Sequence, residues 1–503
     1  MSNALKILNR PYILPITMVL LYLLFQIPYL TKITKVWCDE AWYSNPAFNF
    51  LIGKGFMNTN VGSGGGDEFV FYSFILATVF KLFGTSLWIG RFASVIGGAV
   101  GLIGLIQILR FSKVNNLIIV LTSLMYIFSN VNYIVFRTIR PEALVITFAI
   151  WGFYFLIKGL SNRENSYFFL SGILISLSFL CHPNGAIYIL IFSPVVLFFS
   201  IRNKSYKAVY AYGLGCFIMA ISMILCIIFV KGDNIILFFS KMLVRTSLDK
   251  PSLWGVAWMN LQTFALNYSL GFKRAFILLC EIAILFYGLF FYKKDKTIFL
   301  TSALGLSFFV VSIFFLIPFS TRAFGDVLIF SCVTFGLILN HSKTHLRKSY
   351  MIVLVIGLIY LTNNIAGDLY VIARDHNKTS YSYVEKRIDA IVPDTSIVLT
   401  HLTFWFPLKY NDVYNEFTRY NTKLYKNLDD LLKSGNVQYV VVSDYLTRSG
   451  TATSGRTEGK GMYDSNKLYF DKVHYYALSK GILIDKIVTD NYGIIEIWRI
   501  NAS

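Results

Sequence analysis

Carboxylate and guanidinium groups lie close together at a few points where long apolar stretches end. Asp39 and Glu40 are adjacent and follow the first apolar stretch, and the segment Arg137–Glu142 (RTIRPE) places two Arg and one Glu within six residues. A carboxylate at a membrane surface is costly to desolvate unless it has a partner or a role. Such a group can act as a general base, and guanidinium groups match phosphate oxygens in bidentate geometry.

Both segments also have structural interpretations. Asp39 could cap a helix and Glu40 could favour its positive end, and the pattern by itself favours capping over catalysis. Pro46 argues against one unbroken helix from Asp39, because an interior Pro removes a hydrogen bond, whereas Asn45-Pro46 suits a second helix start. For Arg137–Glu142, a phosphate clamp and a mutual ion pair with interfacial snorkelling fit the pattern equally well.

Four further polar positions are weaker candidates. His182 stands at the end of an apolar stretch, where a single His is more often a satisfied polar residue than a ligand, and no second His at metal-ligand spacing supports a zinc site. Arg245 lies in a long outer segment whose basic residues could simply meet lipid headgroups. Arg322 stands near Asp326, which favours a structural pair. Glu281 is alone within an apolar stretch, as a packing partner or a functional acid.

The elements that must position these residues are membrane helices. Hydrophobic residues make up 55% of the 503 residues and charged residues only 15%, well below the ~25% of soluble domains. Apolar stretches repeatedly reach the roughly 20 residues that cross a bilayer as a helix. The six Cys include no CxxC pair and mostly lie inside these stretches, so we predict small buried hydrophobes and no disulfide framework.

The distribution of basic residues orders the spans. With the N-terminus inside, eleven spans result and every inside loop carries two or three basic residues, as the positive-inside rule requires. Glu68–Phe83 as a further span would invert everything after it, so we predict an amphipathic helix lying flat on the outer interface. The predicted spans are Tyr12–Leu30, Trp88–Leu109, Asn116–Ile134, Ala143–Ile157, Tyr167–Leu180, Ala186–Ile201, Val209–Val230, Ala275–Tyr292, Ile298–Ile317, Ala323–Leu339 and Tyr350–Ile365.

A soluble α/β domain is predicted after the membrane part, with residues 1–367 in the membrane domain and 368–503 outside. Residues 368–503 contain 17 Lys+Arg and 16 Asp+Glu, against 29 and 11 before them. Topology explains part of this basic excess and an anionic substrate would explain more. Nucleic acid is not predicted, because no compact basic domain stands apart from the membrane. The predicted elements are strands Ser396–Thr400 and Tyr439–Ser443, a hairpin of Ile482–Val488 with Gly493–Ile500, and helix Lys426–Ser434.

The chain resembles the GT-C class of integral-membrane glycosyltransferases, and within it the branch of protein O-mannosyltransferases and the aminoarabinose transferase acting on lipid A. That branch opens with a span, an Asp-Glu pair and an interfacial helix, matched by Asp39-Glu40-Ala41-Trp42-Tyr43. Its "FG-S, then Arg" stretch is matched by Phe83-Gly84-Thr85-Ser86 and Arg91, and its basic loop before the fourth span by Arg137–Glu142. The resemblance covers about Tyr12–Gly325.

The resemblance implies a polytopic α-helical fold with interfacial helices in the first outer loop. It implies a polyprenyl-phosphate sugar as donor, a glycan, lipid or protein as acceptor, and contact with membrane lipid. The catalytic carboxylates would be Asp39 as the general base, Glu40 beside it, and Glu142 as a second acid that positions acceptor or sugar. The groups that would stabilise the leaving phosphate or contact substrate are Arg137, Arg140, His182, Arg245 and Arg322.

The sequence departs from that branch at one place and leaves several alternatives open. A His-Pro-Pro or Glu-Lys-Pro element is common there, whereas Gly65-Gly66-Asp67-Glu68-Phe69 has no Lys. Metal use varies in the class, so no metal ligands are predicted and a divalent cation stays open. By resemblance the protein lies in the plasma (bacterial inner) membrane, with a cytoplasmic N-terminus. The alternatives are a transporter or flippase for lipid-linked glycans, against which the lack of repeats speaks, and a non-catalytic binder.

Overall fold

The computed structural model describes residues 12–59, 70–231, 252, 254–258, 260–262, 272–315, 324–345, 347–415, 428–444 and 460–501. The chain forms two compact units. The helical unit comprises Met1–Pro28, Ser94–Arg137 and Pro141–Tyr370. The mixed unit comprises Tyr29–Ala93, Thr138–Arg140 and Val371–Ser503.

Helices dominate the chain as far as residue 375. Two of them, Cys38–Leu51 and Val70–Phe83, belong to the mixed unit. The helices are α1 Ile13–Gln26, α2 Cys38–Leu51, α3 Val70–Phe83, α4 Leu87–Phe111, α5 Asn116–Ile127, α6 Asn130–Val135, α7 Glu142–Asn162, α8 Asn165–Cys181, α9 Ala186–Arg202, α10 Lys207–Lys231, α11 Phe272–Leu289, α12 Lys296–Phe315, α13 Phe324–His345 and α14 Arg347–Asp375.

Seven of the described helices are long and apolar enough to cross a membrane, namely α4, α7, α9, α10, α12, α13 and α14. The protein is therefore a multi-pass membrane protein. Each of the eleven predicted spans falls on one or two helices, while the number of crossings and their direction stay predictions. The predicted interfacial segment Glu68–Phe83 contains helix α3, whose 14 residues would extend about 21 Å, shorter than the bilayer core.

Two predicted spans differ from the helices found there because local signals stop a helix that hydropathy would continue. Helix α1 ends at Gln26 instead of Leu30, two residues before Pro28, which has no backbone N–H to continue the helix. The predicted span Asn116–Ile134 is divided into α5 and α6. The Ser129 side chain accepts a hydrogen bond from the Asn132 backbone N–H and starts the second helix.

Helices α8 and α10 approach each other through glycine. A Cβ on Gly172 would lie 2.3 Å from the Tyr212 carbonyl oxygen, and one on Gly215 would lie 2.4 Å from the Phe169 carbonyl oxygen. Small residues at such points let helix backbones come into contact, which is how membrane helices gain packing energy without a hydrophobic drive. The contact therefore depends on the absence of a side chain at both positions.

We predict that Gly215→Ala lowers the thermal midpoint of the detergent-solubilised protein, because overpacking of this kind costs about 1–3 kcal/mol. Gly213→Ala is the matched control on the same helix, since a Cβ there meets nothing within 4 Å. It should leave the midpoint unchanged or raise it, because Ala favours helix over Gly. Equal midpoints for the two variants would contradict the close packing of α8 on α10.

The mixed unit carries a five-stranded sheet and three further helices. These elements are helices α15 Tyr381–Asp389, α16 Leu428–Lys433 and α17 Lys460–Lys480, and strands β1 Ile397–Leu399, β2 Asp412–Tyr414, β3 Tyr439–Ser443, β4 Gly481–Thr489 and β5 Gly493–Ile500. The strand order is β2-β1-β3-β5-β4. Strand β1 is parallel to β2 and β3, whereas β5 is antiparallel to both β3 and β4.

The strand predictions are confirmed, including the hairpin of β4 and β5 and the buried strand Tyr439–Ser443. Strand β3 is apolar on both faces, since Val440 and Val442 pack in one core with Trp498 and Phe470 while Val441 is also buried. Strand β2 was not predicted, because three half-exposed residues give no alternation. Helix α16 lies within the predicted Lys426–Ser434, two residues before Gly435 with its positive φ.

The connection after α1 is tied to the C-terminal part of the mixed unit. The Val36 backbone N–H donates to the Tyr492 hydroxyl at 2.9 Å, and the Tyr381 backbone N–H donates to the Thr31 carbonyl oxygen at 3.2 Å. Helix α2 adds an aromatic contact, with the Phe48 ring 5.9 Å from the Trp405 ring in edge-to-face geometry. The first loop is thus held by the α/β elements that follow some 350 residues later.

His401 follows β1 and caps a short 3₁₀ turn, accepting a hydrogen bond from the Thr403 backbone N–H at 3.1 Å through Nδ1. Burial lowers the pKa of His401 to about 3, against about 6.5 in an unfolded chain. At a pH between these two pKa values, the unfolded state binds more protons than the folded state. The resulting stability is therefore fully present above pH ~6.5 and is lost as the pH falls toward the folded-state pKa.

We predict that the α/β elements lose up to ~1.4 kcal/mol of stability per pH unit as the pH falls below about 6.5. His401→Asn keeps a side-chain acceptor for the Thr403 N–H but no titrating group, so its stability should change less over this range. Hydrogen exchange of β1 and β3, corrected for intrinsic rates and followed by mass spectrometry at about pH 7.5 and 5.5, measures the difference. Parallel pH dependence in both proteins would contradict it.

Candidate functional site

Helix α2 carries the Asp-Glu pair at its first turn and is one helix despite Pro46. The expectation that Asn45-Pro46 starts a second helix was wrong, because α2 runs from Cys38 to Leu51. Pro46 has no N–H to give the Trp42 carbonyl oxygen, four residues earlier. Asn58 supplies the replacement, since its Nδ2 donates to that oxygen at 3.3 Å. The loop after α2 thus completes the helix that presents Asp39.

Glu40 is fully buried and forms a bidentate ion pair with Arg91, which is also fully buried. Arg91 Nε donates to Glu40 Oε2 at 2.8 Å, and Arg91 Nη2 donates to Oε1 at 2.6 Å. The Ile139 backbone N–H donates to Oε2 at 3.0 Å, and the Trp37 backbone N–H donates to Oε1 at 3.2 Å. Glu40 therefore completes the N-terminus of α2 and also pairs with Arg91. The interpretation that Asp39 caps the helix was wrong, because the helix starts after Trp37 and Asp39 is its second residue.

Asp39 and Arg140 form a second ion pair, between Asp39 Oδ2 and Arg140 Nη1. This pair is less enclosed, with 36% of the Asp39 side chain and 13% of the Arg140 side chain exposed. The Arg140 guanidinium carbon lies 5.8 Å from the centroid of the Tyr43 ring, and Tyr43 in turn packs edge-to-face on Tyr72 of α3. A carboxylate and a guanidinium thus meet at an accessible point on an aromatic support.

Arg137 is placed in the helical unit and has a different environment from Arg140. Its side chain is buried and donates through Nη1 to the Gln26 carbonyl oxygen and through Nη2 to the Pro28 carbonyl oxygen, the latter at 2.7 Å. Its guanidinium carbon also lies 4.6 Å from the Tyr133 ring centroid. These contacts hold the chain at the end of α1, where the helix carbonyls lack intrahelical donors.

Glu142 and His182 also belong to the helical unit. Glu142 is the first residue of α7 and is buried, so its carboxylate lies at the positive end of the helix dipole. His182 follows α8, and its Nδ1 accepts a hydrogen bond from the Asn184 backbone N–H at 3.2 Å. The histidine is therefore a capping residue in this structure. The two remaining candidates, Arg245 and Arg322, lie outside the described residues, as does the segment Gly65–Phe69.

Arg91 was predicted from the resemblance without a role, and the backbone N–H of Ile139 was not predicted. A signal for Arg91 was present, because a lone Arg near the start of an apolar helix must find a buried partner or reach water. For Ile139 no residue type could have given a signal. Among the described residues, no three His, Cys, Asp or Glu side chains are grouped so that they could hold a metal ion.

A family model described as dolichyl-phosphate-mannose-protein mannosyltransferase matches residues 67–229 of the chain. The match covers α3 to α10 and includes Arg91, Arg137, Arg140 and Glu142 but neither Asp39 nor Glu40. A comparison with curated protein sequences finds no significant match.

Solved structures of membrane glycosyltransferases are similar to this chain over most of its length. ArnT from Cupriavidus metallidurans in the apo state matches with a TM-score of 0.58 at 12% identity, covering 87% of this chain and 94% of its own. ArnT bound to undecaprenyl phosphate gives 0.58 at 11% identity, covering 97% and 98%. The archaeal oligosaccharyltransferase AglB from Archaeoglobus fulgidus gives 0.54 at 11% identity, covering 97% and 74%. The predicted fold class is therefore confirmed, and the chain has the fold of the GT-C glycosyltransferases.

Proposed function

We propose that this protein is a glycosyltransferase that moves a sugar from a polyprenyl-phosphate donor to an acceptor on the outer face of the membrane, with Asp39 as general base. The observation that carries the proposal is the contact between Asp39 and Arg140. It joins a proton acceptor and a phosphate-binding group at an accessible point of a chain with the GT-C fold. A general base and a cation for the leaving group are the two parts that such a transfer needs.

The relatives support the donor class more than the acceptor. One ArnT structure holds undecaprenyl phosphate, and the AglB structure holds a dolichol-phosphate together with an inhibitory peptide. The matching family model is described by a dolichyl-phosphate mannose donor and a protein acceptor. A polyprenyl phosphate is common to all three, so we carry over the lipid phosphate. The sugar is left open, and so is the choice among glycan, lipid and protein acceptors.

The proposed reaction is a single displacement at the anomeric carbon. Asp39 takes the proton of an acceptor hydroxyl or amine as the acceptor atom forms its bond to the sugar. The bond between the anomeric carbon and the phosphate oxygen breaks, and its electron pair stays with the phosphate. The leaving phosphate gains one negative charge, so a guanidinium beside it stabilises the transition state more than the ground state. One displacement inverts the anomeric configuration.

Arg140 links the two halves of this reaction. In the structure its guanidinium is bonded to the base itself, and an arriving phosphate would compete for the same donors. Once Arg140 turns to the phosphate, the Asp39 oxygen is released to accept a hydrogen bond from the acceptor. We therefore propose that the donor binds before the acceptor.

The other candidate residues have supporting parts in this proposal. Arg140 is preferred over Arg137 as the phosphate ligand, because Arg137 is buried and donates to two backbone carbonyl oxygens. Glu142 would position the acceptor or the sugar from the N-terminus of α7. His182, Arg245 and Arg322 are kept as further substrate contacts. The C-terminal α/β elements would lie outside the cytoplasm with the reacting groups.

We predict that Asp39→Asn lowers turnover of the donor by about 10²–10⁴-fold, because general-base catalysis contributes in that range. The change is nearly isosteric, so donor binding should persist. The measurement uses purified protein, a radiolabelled panel of polyprenyl-phosphate sugars and cell-envelope acceptors, and it follows release of sugar from lipid. Asp394→Asn, an exposed carboxylate of the mixed unit, is the matched control and should retain wild-type turnover.

The same assay separates the enzyme from the alternatives. A flippase reconstituted in vesicles would move the labelled lipid across the bilayer without releasing its sugar, and a non-catalytic binder would do neither. Either result, or wild-type turnover in Asp39→Asn, would contradict the transferase mechanism.

We predict that Arg140→Gln lowers kcat/KM for the donor about 10²-fold, since one lost charge-stabilising contact has roughly this effect. Arg140→Lys keeps the charge without the planar fork and should give an intermediate value. Steady-state kinetics with varied donor measure both variants. Arg387→Gln, which removes a surface guanidinium paired with Asp485, is the control. An equal loss in Arg387→Gln would show that the effect is not specific to the phosphate site.

A further inference from the structure

We infer that Glu40 and Arg91 form a positioning clamp that holds Asp39 and Arg140 in contact. Asp39 is the covalent neighbour of Glu40. Arg140 is the covalent neighbour of Ile139, whose backbone N–H donates a hydrogen bond to the Glu40 carboxylate. Glu40 therefore acts on the backbone beside both reactive side chains. The inference rests on the proposed function of the Asp39–Arg140 pair and assigns Glu40 a role other than proton transfer.

The hydrogen bonding of Glu40 supports this assignment. Oε1 accepts from Arg91 and from the Trp37 N–H, and Oε2 accepts from Arg91 and from the Ile139 N–H. A carboxylate has about four acceptor positions, so all of those on Glu40 are taken. Its side chain also has no exposed surface. Asp39, by contrast, pairs with Arg140 through Oδ2, accepts the Cys38 thiol at Oδ1 and has 36% of its side chain exposed.

Arg91 extends the clamp to a further segment of the chain. Its Nη1 donates to the Leu30 carbonyl oxygen at 2.6 Å and to the Thr34 carbonyl oxygen at 3.0 Å. The guanidinium therefore fixes the connection between α1 and α2 at the same time as it fixes Glu40. The planar fork of Arg suits this task, because its donors point in set directions, and Lys offers no such geometry.

Packing reinforces the hydrogen bond to Ile139. The Ile139 side chain is buried against α4 beside Gly90, where an added Cβ would lie only 2.4 Å from Ile139 Cδ1. The loop 138–140 is thus fixed from two sides, by an apolar contact at residue 90 and by an ion pair at residue 91. Its next side chain, Arg140, starts from a defined backbone position.

Stability alone is a weak reason for such a pair. Burying two charges is expensive, and well-packed apolar residues often replace a buried ion pair without loss of stability. What an apolar pair cannot do is accept the Ile139 N–H and the Trp37 N–H at once. These two bonds set the distance between the backbones that carry Asp39 and Arg140, and a misplacement of about 1 Å in an active site can lower the rate ~10²-fold.

The test compares Arg91→Lys, Arg140→Gln, the double variant and Arg387→Lys in the full-length purified protein. Arg91→Lys keeps the buried positive charge beside Glu40 but loses the fork. Glu40→Gln is added as the more disruptive change. Size-exclusion profiles and thermal midpoints report folding. Donor kcat and KM are measured separately, and donor binding reports the amount of active protein, so that a slower chemical step is distinguished from lost protein. Asp39→Asn is measured beside them to test the proposed function separately.

We expect Arg91→Lys to lower donor kcat/KM by about 10²-fold. The loss should lie in kcat per donor-binding protein, because a misplaced base lowers the rate of the chemical step. The double variant should match Arg140→Gln, since the clamp acts through Arg140. Arg387→Lys should equal wild type in every measurement.

Three outcomes would overturn the clamp while leaving the proposed function intact. The first is an Arg91→Lys enzyme that only loses active protein, with wild-type kcat per donor-binding protein. The second is a double variant whose losses multiply. The third is wild-type kinetics in both Arg91→Lys and Glu40→Gln. If Asp39→Asn retains wild-type turnover, the proposed function itself has failed. The two failures are therefore distinguishable in one set of measurements.

Discussion

A carboxylate removed from water must have its oxygens satisfied by the protein, and Glu40 meets this requirement by drawing together parts of the chain that are far apart in sequence. Its partners are its own helix start, a guanidinium 51 residues later and a backbone N–H 99 residues later. Through Arg91 the same requirement reaches the connection after α1. The desolvation of one side chain therefore organises much of the first loop of the mixed unit.

Two ion pairs lie side by side in sequence but differ in enclosure, and this difference separates their roles. Both partners of the Glu40–Arg91 pair have no exposed surface, so the pair is permanent: removing one partner would leave an uncompensated buried charge. The Asp39–Arg140 pair is partly exposed, and water weakens its attraction. A rigid pair can thus support a more accessible one, whose guanidinium would leave the carboxylate for a phosphate in the proposed reaction.

The sequence predicted those features that depend on composition along a single segment. Long apolar stretches located the membrane helices, a short apolar run located strand Tyr439–Ser443, and two β-rich runs joined by a short turn located the β4–β5 hairpin. Ser129 divided a predicted span because a cap is a local hydrogen bond that hydropathy does not record. The pairing of Asp39 with Arg140 joins residues 101 positions apart. The sequence around neither residue indicates its partner. The two residues were therefore predicted as separate candidates, and only the structure shows their contact.

Proline in a helix was read as a breaker, and the structure shows why that rule gave way at Pro46. The rule assumes that the carbonyl oxygen four residues earlier stays unpaired, whereas here a loop amide 16 residues downstream of Trp42 takes the place of the missing donor. Side-chain chemistry elsewhere in the chain can thus restore what a local residue removes. Helix propensity does not record such a replacement hydrogen bond, because Asn58 has the sequence features of an ordinary loop residue.

That borrowed hydrogen bond has a mechanical consequence. The first turn of α2 is anchored by Glu40, and the Asn58 side chain supports the helix at Pro46. The same loop is bonded to α2 on both sides of the proline, because the Thr59 N–H donates to Asn45 Oδ1 and Asn49 Nδ2 donates to the Met57 carbonyl oxygen. The helix that carries the proposed base is therefore braced across its weakest point by the loop that follows it, so that 14 residues form one rigid support.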